Sequence, residues 1–175
     1  MSNNHNMKFG KLTELTEKIK ANSFIDGEDN IKIEIINLIK DAANDLNNGG
    51  VTRTSVRNVY NAFKDLERQF EQTFIYELSS INIENIDDGE NNDKIDKIKK
   101  ESFKTILPFI KMMDGKIKYL VNRKNEGNKN IKNGYEVFYD FNSISIDKIN
   151  NYKEFEAFIK IFECLYGFLK KGSEN

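Results

Sequence analysis

The side chains best suited to bind an anion are the arginines, and this 175-residue chain has only four, three of them in one short segment. An arginine guanidinium presents a planar fork of donors that matches a phosphate group. At about 100° per residue, Arg53, Arg57, Lys64 and Arg68 fall within an arc of about 60° on a helix. This arginine ridge predicts a site for a phosphate backbone, although the pattern is equally typical of cations that only solvate a long helix.

The arginine ridge begins where a helix is expected to start, directly after Gly49 and Gly50. Cations in a first turn oppose the helix dipole and cost about 0.3 to 1 kcal/mol each, so local stability does not explain Arg53 and Arg57. The same helix end offers free backbone N–H groups to an anion. For the arginine ridge alone, phosphate binding and a purely solvating role remain evenly balanced, and it is a second group of cations that favours phosphate binding.

A second group of candidate residues lies on a later helix, where Lys116, Tyr119 and Arg123 stand at i, i+3 and i+7 and Lys124 follows. Cations interleaved with an aromatic ring can hold phosphates and stack on a base or ribose. Tyr119 also fits ordinary core packing, which the pattern favours slightly over stacking. No base-reading cluster of Asn and Gln accompanies them, so we expect binding without sequence specificity. The predicted nucleic-acid contacts are Arg53, Arg57, Lys64, Arg68, Lys116, Tyr119, Arg123 and Lys124.

The residues of common active sites are missing from the sequence. It has no Gly-rich loop leading into Lys-Ser/Thr, no nucleophile elbow and no second His beside His5. Residues 1–7 are polar and predicted to be a disordered tail, which removes His5 as a catalytic group. Cys164 lies within an apolar helical pattern and is predicted to be a small buried side chain. We therefore expect no catalysis, no cofactor and no metal site.

Helical periodicity determines where both groups of cations lie. Apolar residues at three- and four-residue spacing predict helices at about 12–19, 31–46, 53–78, 94–124, 135–150 and 152–171. Pro108 is expected to end or kink the fourth helix, and residues 125–134 to form a basic loop. The third helix would be about 39 Å long, more than twice the ~16 Å radius of gyration of a compact chain of this size. The predicted fold is all-α, an elongated bundle of about five to six helices.

The formal net charge of −1 averages over opposed segments. Residues 77–93 carry six acidic and no basic side chains and predict a solvated acidic loop near 79–93, whereas residues 94–132 carry twelve basic and four acidic ones. The length predicts a single helical domain over residues 8–175. Without a signal-peptide pattern or a run of about 18 apolar residues, the chain is expected to be cytoplasmic and not to contact a membrane.

Three segments, taken in order, resemble the small subunit of type III-A CRISPR–Cas effector complexes, the Csm small subunit. VTRTSVRNVYNAFKDLE is similar to that family's Thr-x-x-Gln-Ile-Arg-x-Phe/Tyr pattern, and MMDGKIKYLVNRK to its Leu-Leu-x-Pro-Lys-Leu-x-Tyr-x-x-x-Arg segment. FEAFIKIFECLYGFLKK resembles its aromatic-rich terminal helix. The matching residues are Val56, Arg57, Tyr60, Lys116, Tyr119, Arg123, Phe155, Phe158, Glu163 and Phe168.

The resemblance covers roughly residues 50–171, and it departs from the family pattern at Ser55, Gly115 and Cys164, where the family has Gln, Pro and Ala. It implies a noncatalytic, all-helical protein, present in several copies that self-associate in a filament. It also implies contacts with the phosphates of crRNA and target RNA. The implied protein partners are the Csm backbone subunits and the large polymerase-like subunit.

Two other functions remain open from the residues alone. The segment GGVTRTSVRN is typical of a turn entering the recognition helix of a helix-turn-helix DNA-binding protein, although the third helix is longer than such helices usually are. A helical scaffold that binds only protein would use the same cations to dock an acidic partner.

Overall fold

The structure is a computed structural model that describes residues 9–80, 88–124 and 129–170. Within these ranges the chain forms six helices and no named strand, so the fold is an all-α helical bundle, as predicted. The helices are α1 (Gly10–Asn22), α2 (Ile33–Asn48), α3 (Arg53–Ser79), α4 (Asp88–Lys124), α5 (Lys129–Lys148) and α6 (Tyr152–Phe168). The predicted tail, residues 1–7 with His5, lies outside the described residues.

The core is built around the aromatic face of α6. Phe155, Phe158 and Phe162 are fully buried. The ring of Phe162 lies 6.0 Å from that of Phe63 on α3 and 6.3 Å from that of Phe138 on α5. Helix α6 packs mainly on α2 and α3. Helix α1 packs on α2 and α5, and α4 lies against both α3 and α5.

Cys164 is exposed, which corrects its prediction as a small buried side chain. The residue is inside α6 as expected, but it is about 200° around the helix from Phe162, on the side away from the core. The prediction was wrong because apolar residues are nearly continuous along α6, so the sequence pattern did not distinguish its exposed side from its buried side.

Helix α4 continues through Pro108, so of the two predicted effects of this proline, an end or a kink, the end of the helix is wrong. Ile106 and Ile110, on either side of the proline, are buried and hold both halves against the core. Pro108 lacks the N–H that would bond the Lys104 carbonyl, and because both residues are exposed, water can satisfy that oxygen. Helix α4 also begins at Asp88, so the last part of the predicted acidic loop is helical.

Helices α2 and α5 approach so closely that glycine is needed on both. A Cβ atom added to Gly134 would lie 2.3 Å from the carbonyl oxygen of Gly49. Gly50 follows with φ of 74°, a left-handed conformation that directs the chain from α2 into α3. The glycine that suggested a basic loop over residues 125–134 is therefore a packing residue within α5, which already starts at Lys129.

Side chains from other helices satisfy free helix ends. The Asp45 carboxylate on α2 accepts hydrogen bonds from the backbone N–H groups of Lys11 and Leu12 at the start of α1, at 2.9 and 3.0 Å. At the end of α5, the Lys111 ammonium of α4 donates to the carbonyl oxygens of Ile146 and Asp147, at 2.7 and 3.0 Å. Burial lowers the pKa of Lys111. The first contact joins α2 to α1, and the second joins α5 to α4, the helix that carries Lys116 and Arg123.

Candidate nucleic-acid interface

A hollow of about 360 Å³ lies between the start of α3 and the end of α4. It brings together three of the predicted cations and Tyr119 with polar residues of α3. We call it the basic hollow. Its lining residues are Thr52, Thr54, Ser55 and Asn58 on one wall and Lys116, Tyr119, Leu120, Arg123 and Lys124 on the other.

A buried hydroxyl network holds the α3 wall of the basic hollow in place. Thr52 is the N-cap of α3, and its side-chain oxygen accepts a hydrogen bond from the Ser55 N–H at 3.2 Å. The hydroxyl of Tyr135 on α5 lies 2.8 Å from the Ser55 Oγ and 3.3 Å from the Thr52 Oγ1. Because Ser55 and Tyr135 are buried, Ser55 supports the wall and leaves ligand contacts to its exposed neighbours.

The α4 wall presents Tyr119 to solvent, so the prediction that favoured core packing for this residue is wrong. Its side chain is 65 % exposed. The buried stripe of α4 passes through Ile117, and Tyr119 lies about 200° around the helix from it. The Arg123 guanidinium carbon lies 5.9 Å from the centre of the Tyr119 ring, within cation–π range, so the two residues form one exposed unit.

Arg53, at the start of the arginine ridge, belongs to the fold. Its Nη1 donates a hydrogen bond of 2.7 Å to the carbonyl oxygen of Leu169, the C-cap of α6. Its guanidinium also lies 4.6 Å above the ring of Tyr166, which stacks in turn on Tyr60 at 5.6 Å. A cation at a helix C-terminus is favourable, so this contact offsets the cost of Arg53 at the start of α3.

Two further residues of the arginine ridge are paired with acids of the same helix. Lys64 forms an ion pair with Glu67, and the hydrogen bond between them raises the pKa of Lys64. Arg68 forms an ion pair with Asp65. Both pairs have an i, i+3 geometry, the first half-buried and the second exposed, so these cations are locally neutralised.

Arg57 is the cation of the ridge that remains available. It is exposed and has no hydrogen-bond or ion-pair partner among the described residues. On α3 it lies about 60° from Thr54 and about 100° from Asn58, which places it beside the basic hollow rather than within it. Lys116 and Lys124 are likewise exposed and unpaired within the described part of the chain.

Sequence reasoning missed the polar wall of the basic hollow. Thr54 and Asn58 are exposed, and their hydroxyl and amide groups face the cations of α4 across it. Their spacing of four residues beside Arg57 was visible in the sequence. The sequence did not show that the start of α3 packs beside the end of α4, and this packing is what brings Thr54 and Asn58 opposite the cations.

Over residues 9–80, 88–124 and 129–170, no group of three or more His, Cys, Asp or Glu side chains is arranged to hold a metal ion. No helix in that part of the chain combines the length and apolar character needed to span a membrane.

Comparison with known proteins identifies the family. The family model described as Csm2 Type III-A matches residues 33–174, which include α2 to α6 and both walls of the basic hollow. No curated protein and no solved structure matches. Because the family match spans most of the sequence, the chain belongs to the Csm2 Type III-A family, the small subunits of type III-A CRISPR Csm complexes.

Proposed function

We propose that this small subunit contacts the sugar-phosphate backbone of crRNA and target RNA through the basic hollow and Arg57, without reading the base sequence. In this proposal several copies stack as a filament beside the crRNA-bearing Csm backbone subunits and the large polymerase-like subunit. The chain carries out no catalytic step of its own. The family match supports these roles, because its members are structural small subunits of Csm complexes.

The observation that carries the RNA contact is the set of uncompensated cations around the basic hollow. Lys116, Lys124 and Arg57 have no acidic partner within the described residues. Asp114 is the sole acidic residue between positions 105 and 124, and it is on the α5 side of α4, where it accepts a hydrogen bond of 3.2 Å from the Tyr139 hydroxyl. A local excess of positive charge attracts phosphates and releases their counterions.

The chemistry of the hollow is suited to a backbone rather than to base edges. Its charged groups are two lysines and one arginine, and its polar groups include the hydroxyl of Thr54 and the amide of Asn58. Such groups bond phosphates and ribose hydroxyls, and contacts of this kind position a nucleic acid without specifying its sequence. The exposed ring of Tyr119 can stack on any base.

The packing of α3 disfavours the helix-turn-helix alternative. In that motif the recognition helix packs across the preceding helix. Here α3 packs on α4 and α6, and α2 packs on α1 and α6. The first turn of α3 is also committed to the fold through Arg53 and Ser55, which leaves few side chains free to enter a DNA groove.

The test is a binding titration with the full-length chain, alone and assembled with the other Csm subunits. We expect weak, salt-sensitive binding of the isolated chain to two single-stranded RNAs of unrelated sequence, with similar affinity for both and much tighter binding after assembly. Preference for duplex DNA would support the helix-turn-helix alternative. No RNA affinity even at low salt would support a scaffold that binds only protein, and either result would overturn the proposal.

A further inference from the structure

Two large apolar side chains lie exposed on α4, next to the basic hollow. Phe109 is 53 % exposed and Met112 is 63 % exposed, whereas their neighbours Ile110 and Met113 are buried. Exposed apolar side chains of this size form a patch that residues 9–80, 88–124 and 129–170 leave uncovered, and such patches commonly mark contact surfaces. Phe109 and Met112 are therefore candidates for contact with a binding partner.

The two residues are aligned with the cations of the hollow. At about 100° per residue, Phe109, Met112, Lys116, Tyr119 and Arg123 lie within an arc of about 80° on α4. The stripe extends about 21 Å along the helix axis. We call it the α4 stripe. Apolar, cationic and aromatic side chains thus follow one another on a single exposed face.

From this alignment we infer that single-stranded RNA continues from the basic hollow along the α4 stripe, with its bases against Phe109 and Met112. The inference rests on the proposed function, and it adds base contacts at Phe109 and Met112 to the phosphate contacts and the stacking on Tyr119. Aromatic rings stack on bases of any identity, and a thioether makes favourable contacts with an aromatic ring. The added contacts would therefore strengthen binding without making it sequence-specific.

The charge around the stripe favours nucleic acid over a protein partner. Asp114 is about 140° from Phe109 around α4, so this side of the helix between residues 105 and 124 carries no acidic side chain. Two apolar side chains are also far short of the roughly 800 Å² per partner that a stable protein interface buries. A strand whose phosphates are held at Lys116 and Arg123 brings its bases to the same face without needing a large apolar area.

The experiment compares the affinity of the chain for two strands with the same sugar-phosphate backbone, one with bases and one without. The probes are a twelve-residue oligoadenylate and an abasic ribose-phosphate strand of the same length, titrated onto the full-length chain by fluorescence anisotropy. The variant is Phe109→Ala with Met112→Ala. The matched control is Ile75→Ala with Tyr76→Ala, which removes two side chains of α3 that are 63 % and 70 % exposed.

The inference predicts that the α4 variant binds oligoadenylate about fivefold or more weakly than the unaltered chain, and binds the abasic strand equally well. The α3 control should bind both probes like the unaltered chain. An equal loss on both probes, no loss on either, or lost Csm assembly with RNA affinity intact would overturn the inference and leave the phosphate contacts standing. If the unaltered chain bound neither probe at low salt, the proposed function itself would fail, and the inference with it.

Discussion

The arginine ridge and the basic hollow contain similar numbers of cations and use them differently. Along the ridge, Arg53 bonds the end of α6, and Lys64 and Arg68 are paired with acids one turn away. In the hollow, Lys116 and Lys124 have no partner within the described residues. Spacing along one helix shows where a cation projects, whereas acids one turn away and groups on neighbouring helices determine whether it is free.

The ridge cations also differ among themselves in how firmly they are held. The exposed ion pair between Arg68 and Asp65 contributes only about 0.2 to 1 kcal/mol, whereas Lys64 is paired with a Glu67 side chain that is 15 % exposed. Arg53 is part-buried, and it combines a hydrogen bond with a stacked ring. Arg53 therefore differs more from the cations of the basic hollow than Lys64 or Arg68 does.

The largest expected effect comes from removing the available cations together. Arg57→Ala, Lys116→Ala and Arg123→Ala in one chain should lower RNA affinity about 100-fold, roughly 1 kcal/mol for each lost phosphate contact. The loss should be similar for unrelated RNA sequences, measured by anisotropy with the isolated chain and with the assembled complex.

The control for this triple variant removes the same charge from paired positions: Lys64→Ala, Arg68→Ala and Lys104→Ala, whose partners are Glu67, Asp65 and Glu101. RNA affinity should fall less than about threefold, because a cation held by an acid of its own helix makes no direct phosphate contact that the substitution could remove. If the control lost as much RNA affinity as the triple variant, paired and unpaired cations would contribute equally, and the distinction between them would be wrong.

The helix content of the bundle could be predicted because its cause is local. The start of α3 at Arg53 follows from the glycine pair and from Thr52, a good N-cap residue. The buried faces of α3 and α6 follow from apolar spacing alone. A periodic pattern shows which side of each helix is buried, and no tertiary information is required for that step.

The errors arose where packing between helices decides the outcome. Gly134 indicated a loop, yet it sits within α5 because α2 passes too close for a side chain. Pro108 indicated an end or a kink, yet the helix does not end there, because the buried residues on either side hold both halves of α4 against the core. Arg53 had no local reason to begin α3, since its reason is a carbonyl on α6, 116 residues away in sequence.

The next effect in size concerns the contact that positions the α3 wall. Gly134→Ala places a methyl group against the Gly49 carbonyl and should lower the free energy of unfolding by about 1 to 3 kcal/mol, because α5 must move away from α2. Tyr135 moves with α5, so RNA affinity should fall as well. Gly115→Ala, where nothing lies within 4 Å of an added Cβ, is the matched control and should not destabilise the chain. Equal stability of the two variants by thermal unfolding would contradict the packing argument.

A smaller effect separates the two arginines at the start of α3. Arg53→Ala should cost about 1 to 2 kcal/mol of stability, because the Leu169 carbonyl loses a charged donor at the end of α6. Arg57→Ala should cost less than about 0.5 kcal/mol, because that side chain is exposed and unpaired. RNA affinity should fall more in the Arg57→Ala variant than in the Arg53→Ala variant. Urea unfolding combined with RNA titration measures both, and identical behaviour of the two variants would show that Arg53 is not structural.

The smallest effect tests the hydroxyl network. Tyr135→Phe should lower the free energy of unfolding by about 1 kcal/mol, because the Thr52 N–H and Ser55 Oγ lose a partner while the two side-chain hydroxyls, 2.9 Å apart, still bond each other. RNA affinity should change by less than about threefold, since the hydroxyl of Tyr135 is buried behind the wall. A large loss of RNA affinity with unchanged stability would instead place this hydroxyl in the binding site.

The central claim is that the unpaired cations of the basic hollow hold the RNA backbone. It is tested most directly by the dependence of RNA affinity on salt concentration for Lys116→Ala with Arg123→Ala, compared with Lys64→Ala with Arg68→Ala. Each lost phosphate contact should reduce the slope of log K against log salt by about 0.7 for a single strand, so the hollow variant should lose about 1.4. The ridge variant should keep a slope close to that of the unaltered chain. Equal reductions in the two variants, or no reduction in the hollow variant, would contradict the claim.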